Sequence, residues 1–186
     1  MDLGKKLQVS LNIYFKNFGT LFSAGLVAWL LSALTLGILS GPLLGGFLIL
    51  NLKIIRGKGG NFKEIFAHFD KFAPTLVISV IVFALTMAIG IIPFLGIPIS
   101  LAVSPFIGLA ASFALITVME KNSEPIAALK ESIAIIKTDP AMFWVYGIVM
   151  GILSGVGAIV FLVGIIITLP LAPIGMAVAY NELPNN

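Results

Sequence analysis

The chain has 186 residues, 59% of them hydrophobic and 10% charged, and its mean hydropathy of +1.13 lies far from that of a soluble domain. Eleven Lys and Arg against eight Asp and Glu give a net charge of +3, and the lack of cysteine excludes a disulfide, a thiolate nucleophile and a Cys-based metal site. This is the composition of an integral membrane protein.

All nineteen charges fall within residues 2–16, 53–71 and 120–139 or at Glu182. The uncharged intervals, 17–52, 72–119 and 140–181, run to 36, 48 and 42 residues. A helix needs about 20 apolar residues to cross a hydrocarbon core of about 30 Å, so each interval is expected to hold two spans and a turn. Even crossings return the chain to the side it left. The positive-inside rule makes that side cytoplasmic and places both termini there.

One plan recurs three times, over residues 1–60, 61–123 and 124–186. The expected fold is all-α: a single membrane domain of six transmembrane helices arranged as three hairpins, each preceded by a cytoplasmic amphipathic helix, in three parallel pseudo-repeats. In the first unit Leu3, Leu7, Leu11, Tyr14, Phe15 and Phe18 follow helical steps of three and four, ahead of spans 19–36 and 40–55. The opening residues are basic, but Gln8, Ser10 and Asn12 interrupt the following run, so the N-terminus is expected to be retained rather than cleaved. In the second unit Asn61 and Glu64 form a capping box ahead of Ile65, Phe66, Phe69 and Phe72, with spans at 74–92 and 98–119. In the third, Ile126, Leu129, Ile133 and Ile136 make the stripe, Asp139 and Pro140 read as N-cap and first helical residue, and the spans are 140–162 and 164–180. The amphipathic segments either lie in the membrane interface or cover the cytoplasmic end of the bundle.

Three groups of residues are candidates for function. The returning spans carry Pro42, Gly45 and Gly46, then Pro105 and Gly108, then Pro170, Pro173 and Gly175. A proline inside a span frees a backbone carbonyl, and three breaks around an axis along the membrane normal would build a ligand site. The alternative is that Pro42, like Pro98, merely opens a short helix. Gly147, Gly151 and Gly155 form a glycine zipper, read either as a dimer face or as packing within the bundle. Lys53, Arg56, Lys58, Lys63 and Lys71 hold five of the eleven cations and are expected to meet anionic head groups.

The spans contain no ionisable side chain on which proton coupling would depend. His68, the sole histidine, sits among Phe66, Phe69 and Asp70 and reads as an interfacial residue rather than a base. The carboxylates show no metal-ligand spacing. No catalytic residue, metal or cofactor is expected, and anionic lipid is a simpler partner than nucleic acid for a basic membrane face.

Residues 41–47 (GPLLGGF), the exit Ile55-Arg56-Gly57-Lys58, the pair Ile65-Phe66, the run Ala128-Leu129-Lys130-Glu131-Ser132, and Leu169-Pro170-Leu171-Ala172-Pro173 leading to Ala179-Tyr180 together carry a resemblance. The chain resembles a broad group of prokaryotic integral membrane proteins of unassigned activity, akin to the membrane domain that precedes some bacterial glycerophosphodiester phosphodiesterases. The resemblance implies a six-span bundle in a prokaryotic inner membrane. It brings no catalytic residues, and no phosphodiesterase domain accompanies it here. The expected function is non-enzymatic binding or transport of a lipid or other hydrophobic molecule. The alternatives are a facilitator for a small neutral solute and a scaffold subunit that pairs with itself or another membrane protein.

Overall fold

A computed structural model describes residues 3–94, 96–155, 168 and 170–183. The expected span limits at Leu162 and Gly164 lie outside the described residues. The elements in order are α1 (Leu3–Lys16), α2 (Phe18–Leu34), α3 (Ser40–Ile55), two 3-10 turns (Phe62–Phe66 and Phe69–Lys71), α4 (Phe72–Gly90), α5 (Gly96–Lys121), α6 (Pro125–Thr138), α7 (Pro140–Gly155) and α8 (Leu171–Asn181). The described residues contain helices and no strand. Phe62–Gly90 and Gly96–Lys121 are each long and apolar enough to cross a membrane. The count rises to four if α1 with α2, bent by 92°, and α6 with α7, bent by 104°, each count as one span.

Local chemistry explains most boundaries. The Asp139 carboxylate accepts the Met142 N–H at 3.2 Å, so α7 begins at Pro140 with the expected cap. The capping box also forms: Asn61 Oδ1 accepts from Lys63 N at 3.0 Å and Glu64 Oε1 from Asn61 N at 2.9 Å. The segment it opens is 3-10 rather than the amphipathic α-helix the spacing predicts. The run before Phe72 is too short to repay α-helix nucleation, and its Ile65 backbone is pressed against Gly46 of α3.

The core forms where α3, α5 and α8 meet. Leu48 and Leu52 of α3 join Leu109, Phe113 and Ile116 of α5 and Ala177 and Tyr180 of α8 in one buried cluster. The opposite side of α3 gives Leu43, Phe47 and Leu50 to a second cluster with Tyr14 of α1 and Leu21, Ala24 and Ala28 of α2. The short helix α3 is therefore a wall shared by two cores. Each of the three central helices packs against the segments that come next in the plan. Helix α3 meets the first 3-10 turn and α4, α5 meets α6 and α7, and α8 meets α1, while Pro170 just before α8 abuts Gly25 of α2.

Charges from all the charged stretches gather at one end of this bundle. Lys6, whose side chain is buried, pairs with Glu182 at 2.7 Å, tying the chain's first helix to its last. Arg56 pairs with Glu120 and donates to Asn181 Oδ1 at 2.9 Å, and Lys121 pairs with Glu131 at 2.9 Å.

The hairpin turns are not level. The α2–α3 turn, where Leu36 and Gly37 adopt φ of 52° and 85°, lies beside Leu76 to Phe83 of α4. Helix α4 continues to Gly90, so the α4–α5 hairpin projects at least about 10 Å further, at 1.5 Å per residue.

A methyl group on Gly46 would run into the Ile65 backbone, which cannot step aside as a side chain can, whereas Gly19 has no described neighbour within 4 Å. Gly46→Ala should lower stability by about 1–3 kcal/mol, the usual cost of overpacking, and Gly19→Ala should be near neutral. Thermal unfolding in detergent checks both.

Candidate functional site

Helix α5 carries Ala110 and Ala111 between bulkier neighbours, and the volume these small residues leave is not filled by α4 or α6. A groove of about 380 Å³ results. Its walls are Ile81, Val82 and Leu85 of α4, Phe106, Ile107 and the two alanines of α5, and Leu129, Ile133 and Ile136 of α6. The third amphipathic stripe thus turns its apolar face onto the α4–α5 hairpin. Lys137 and Pro140 border the groove, and Lys137 is its single ionisable residue. The trough is thus lined by apolar side chains, with one cation at its border among the described residues.

The proline and glycine candidates mark tight helix contacts rather than one common chamber. Pro42 is buried in the first turn of α3, where its missing N–H costs no helical hydrogen bond, as the helix-opening reading expected. The adjacent Gly41 lies against Thr75, 2.6 Å from its carbonyl oxygen to an ideal Cβ. Gly45 faces Met119 of α5 and Gly46 faces Ile65. Pro105 sits in the interior of α5, which runs unbroken through it from Gly96 to Lys121, and an ideal Cβ on Gly147 of α7 comes 2.7 Å from its Cβ. One turn before Pro105 the Trp144 indole N–H donates to the Ala102 carbonyl at 2.8 Å. Pro170 and Pro173 flank the start of α8, Gly175 meets Met150 of α7, and Gly108 makes ordinary contact with Met176.

A second cavity of about 300 Å³ brings Pro105, Gly147 and Gly151 together with Ala172 and Met176 of α8. A third, of about 190 Å³, lies between the α2–α3 turn and α4. Pro42 lines none of the three. Of the zipper glycines, Gly147 is spent on packing inside the bundle, while Gly151 and Gly155 have no described atom within 4 Å of an ideal Cβ.

The five cations proposed for head groups divide. Lys53 is engaged with Glu64 at 2.6 Å, Arg56 with Glu120, and Lys71 with Asp70 at 3.4 Å. Lys58 and Lys63 are both exposed, Lys63 within the first 3-10 turn. His68 is half-buried between the 3-10 turns, and no group of three His, Cys, Asp or Glu among the described residues is placed to hold a metal.

Two polar features of the core depend on tertiary placement that the sequence does not reveal. Asn51 is fully buried on α3, donates through Nδ2 to the Phe47 carbonyl at 2.8 Å and leaves Oδ1 without a partner among the described residues. Thr117 and Tyr180 join hydroxyls at 3.2 Å inside the core. The groove itself left one sequence signal, paired alanines on a span that precedes an amphipathic stripe.

Compared with family models, curated proteins and solved structures, the chain matches none.

The Lys53 ammonium, followed by the Asn61 backbone N–H, holds the Glu64 carboxyl below its ordinary value. A lowered folded pKa stabilises the fold above the unfolded pKa, and that contribution is lost as pH falls through the folded one. Wild-type stability should therefore drop more steeply than that of Glu64→Gln as pH is lowered from about 5 to about 3. Parallel melting curves in detergent test this, and identical slopes would discount the pair.

Proposed function

We propose that this is a non-enzymatic, multi-span membrane protein that binds a lipid or other hydrophobic molecule in the groove between α4, α5 and α6. The observation that carries the reading is the groove itself, about 380 Å³ of space walled by apolar side chains. That volume lies at the lower end of the range of about 300–1,000 Å³ typical of small-molecule sites. It matches a single chain better than a whole lipid.

The reading includes the architecture of three pseudo-repeats, closed in a ring. Its support is the cyclic contact pattern, in which each returning helix packs on the amphipathic segment of the next unit and the last returns to the first. The gathering of charge at one end supports a single charged face, taken as cytoplasmic, with both termini on it. The prokaryotic inner membrane rests on the resemblance of the GPLLGGF and LPLAP segments. A second reading, an interaction subunit, is favoured by Gly151 and Gly155, which have no described atom within 4 Å of an ideal Cβ.

Native mass spectrometry of protein released in mild detergent tests the lipid reading. One lipid or hydrophobic molecule should be retained per chain, and Ala111→Trp, which fills the groove, should abolish retention while the helical circular dichroism is kept. A bare wild-type protein, or retention unchanged in the folded tryptophan variant, would overturn it.

A further inference from the structure

We infer that the groove selects an anionic phospholipid, one acyl chain lying along Ala110 and Ala111 and the phosphate meeting Lys137; this rests on the lipid reading above and adds to it the head-group class and the residue that reads it. Charge complementarity carries the step. Lys137 stands in the last turn of α6 at the border of a trough that is otherwise apolar, and among the described residues no carboxylate lies within ion-pair distance of it.

The neighbouring acids are engaged elsewhere. Asp139, two residues on, accepts the Met142 N–H at the start of α7, and Glu131 on the same helix pairs with Lys121. Helix α4 has no charged residue, and the charges of α5 lie at its far end, at Glu120 and Lys121. A hydrocarbon trough ending at one uncompensated cation complements a molecule with an apolar tail and an anionic head. A neutral phospholipid would fill the trough equally well and gain nothing from the ammonium.

The experiment reconstitutes the full chain in nanodiscs of equal phosphatidylglycerol and phosphatidylcholine, then identifies the lipid retained after transfer to mild detergent. A lysine near a membrane surface contributes about 1 kcal/mol toward an anionic lipid, so wild type should retain phosphatidylglycerol about fivefold over phosphatidylcholine. Lys137→Gln should bring that ratio to about one with total retention unchanged. Lys16→Gln, a change at an exposed lysine of α1 remote in sequence from the groove elements, should leave the ratio as in wild type. Equal retention of the two lipids by wild type, or a preference that survives Lys137→Gln, overturns the head-group assignment and leaves the lipid reading standing. No lipid retained by wild type overturns the lipid reading, and this inference falls with it.

Discussion

Close backbone approach is the constraint on which the structure rests. Apolar helices gain little by burying apolar surface against one another when the alternative is lipid, so association relies on packing and on polar contacts between helices. Small residues make that packing possible at each seam. Gly41 and Gly46 admit Thr75 and Ile65 against α3, Gly147 admits Pro105 against α7, and Gly25 admits Pro170 against α2. These contacts join α3 to the first 3-10 turn and α4, α5 to α7, and the start of α8 to α2, and the salt bridge from Lys6 to Glu182 ties the first helix to the last at the charged end. The polar contacts have the same interhelical character: Tyr146 donates to the Gly175 carbonyl at 2.6 Å, and Ser154 Oγ accepts the Ala172 N–H at 2.9 Å.

The groove arises from the same economy. Where α3 uses glycine to bring a neighbour in, α5 offers Ala110 and Ala111 to α4 and α6, and neither comes close enough to fill the space. The projecting α4–α5 hairpin also keeps much of its apolar surface uncovered, with Phe83 65% and Leu101 69% exposed. Of the five cations expected at head groups, Lys53, Arg56 and Lys71 pair with nearby acids.

Much of this was legible in the sequence because it depends on local patterns. Charge-free intervals marked the apolar helices, helical spacing marked α1 and α6, and Asp139 before Pro140 marked the start of α7. The return helix α3 occupies Ser40–Ile55, the limits its composition implied. The capping box at Asn61 was equally readable, but the 3-10 geometry after it was not, since the contact of Ile65 with Gly46 joins residues distant in sequence. The unequal reach of the hairpins escaped for the same reason. So did the groove: which face of α5 looks toward α6 is set by tertiary packing, and composition treats Ala110 like any other small residue. The prolines were expected to break the spans, but α5 runs unbroken through Pro105, and contacts with Gly147, Thr75 and Gly25 show that the proline neighbourhoods serve packing.

Closure of the last helix onto the first is the central claim of the ring proposed above. An ideal Cβ on Gly25 lies 3.4 Å from the Cβ of Pro170, close to the separation of about 3.5–4.5 Å that a disulfide requires. The chain has no cysteine of its own, so Gly25→Cys with Pro170→Cys can be oxidised in membranes without competing thiols. The account expects rapid, intramolecular crosslinking between the first unit and the third, seen as a monomer of altered gel mobility. Free thiols after oxidation, or dimers alone, would contradict it.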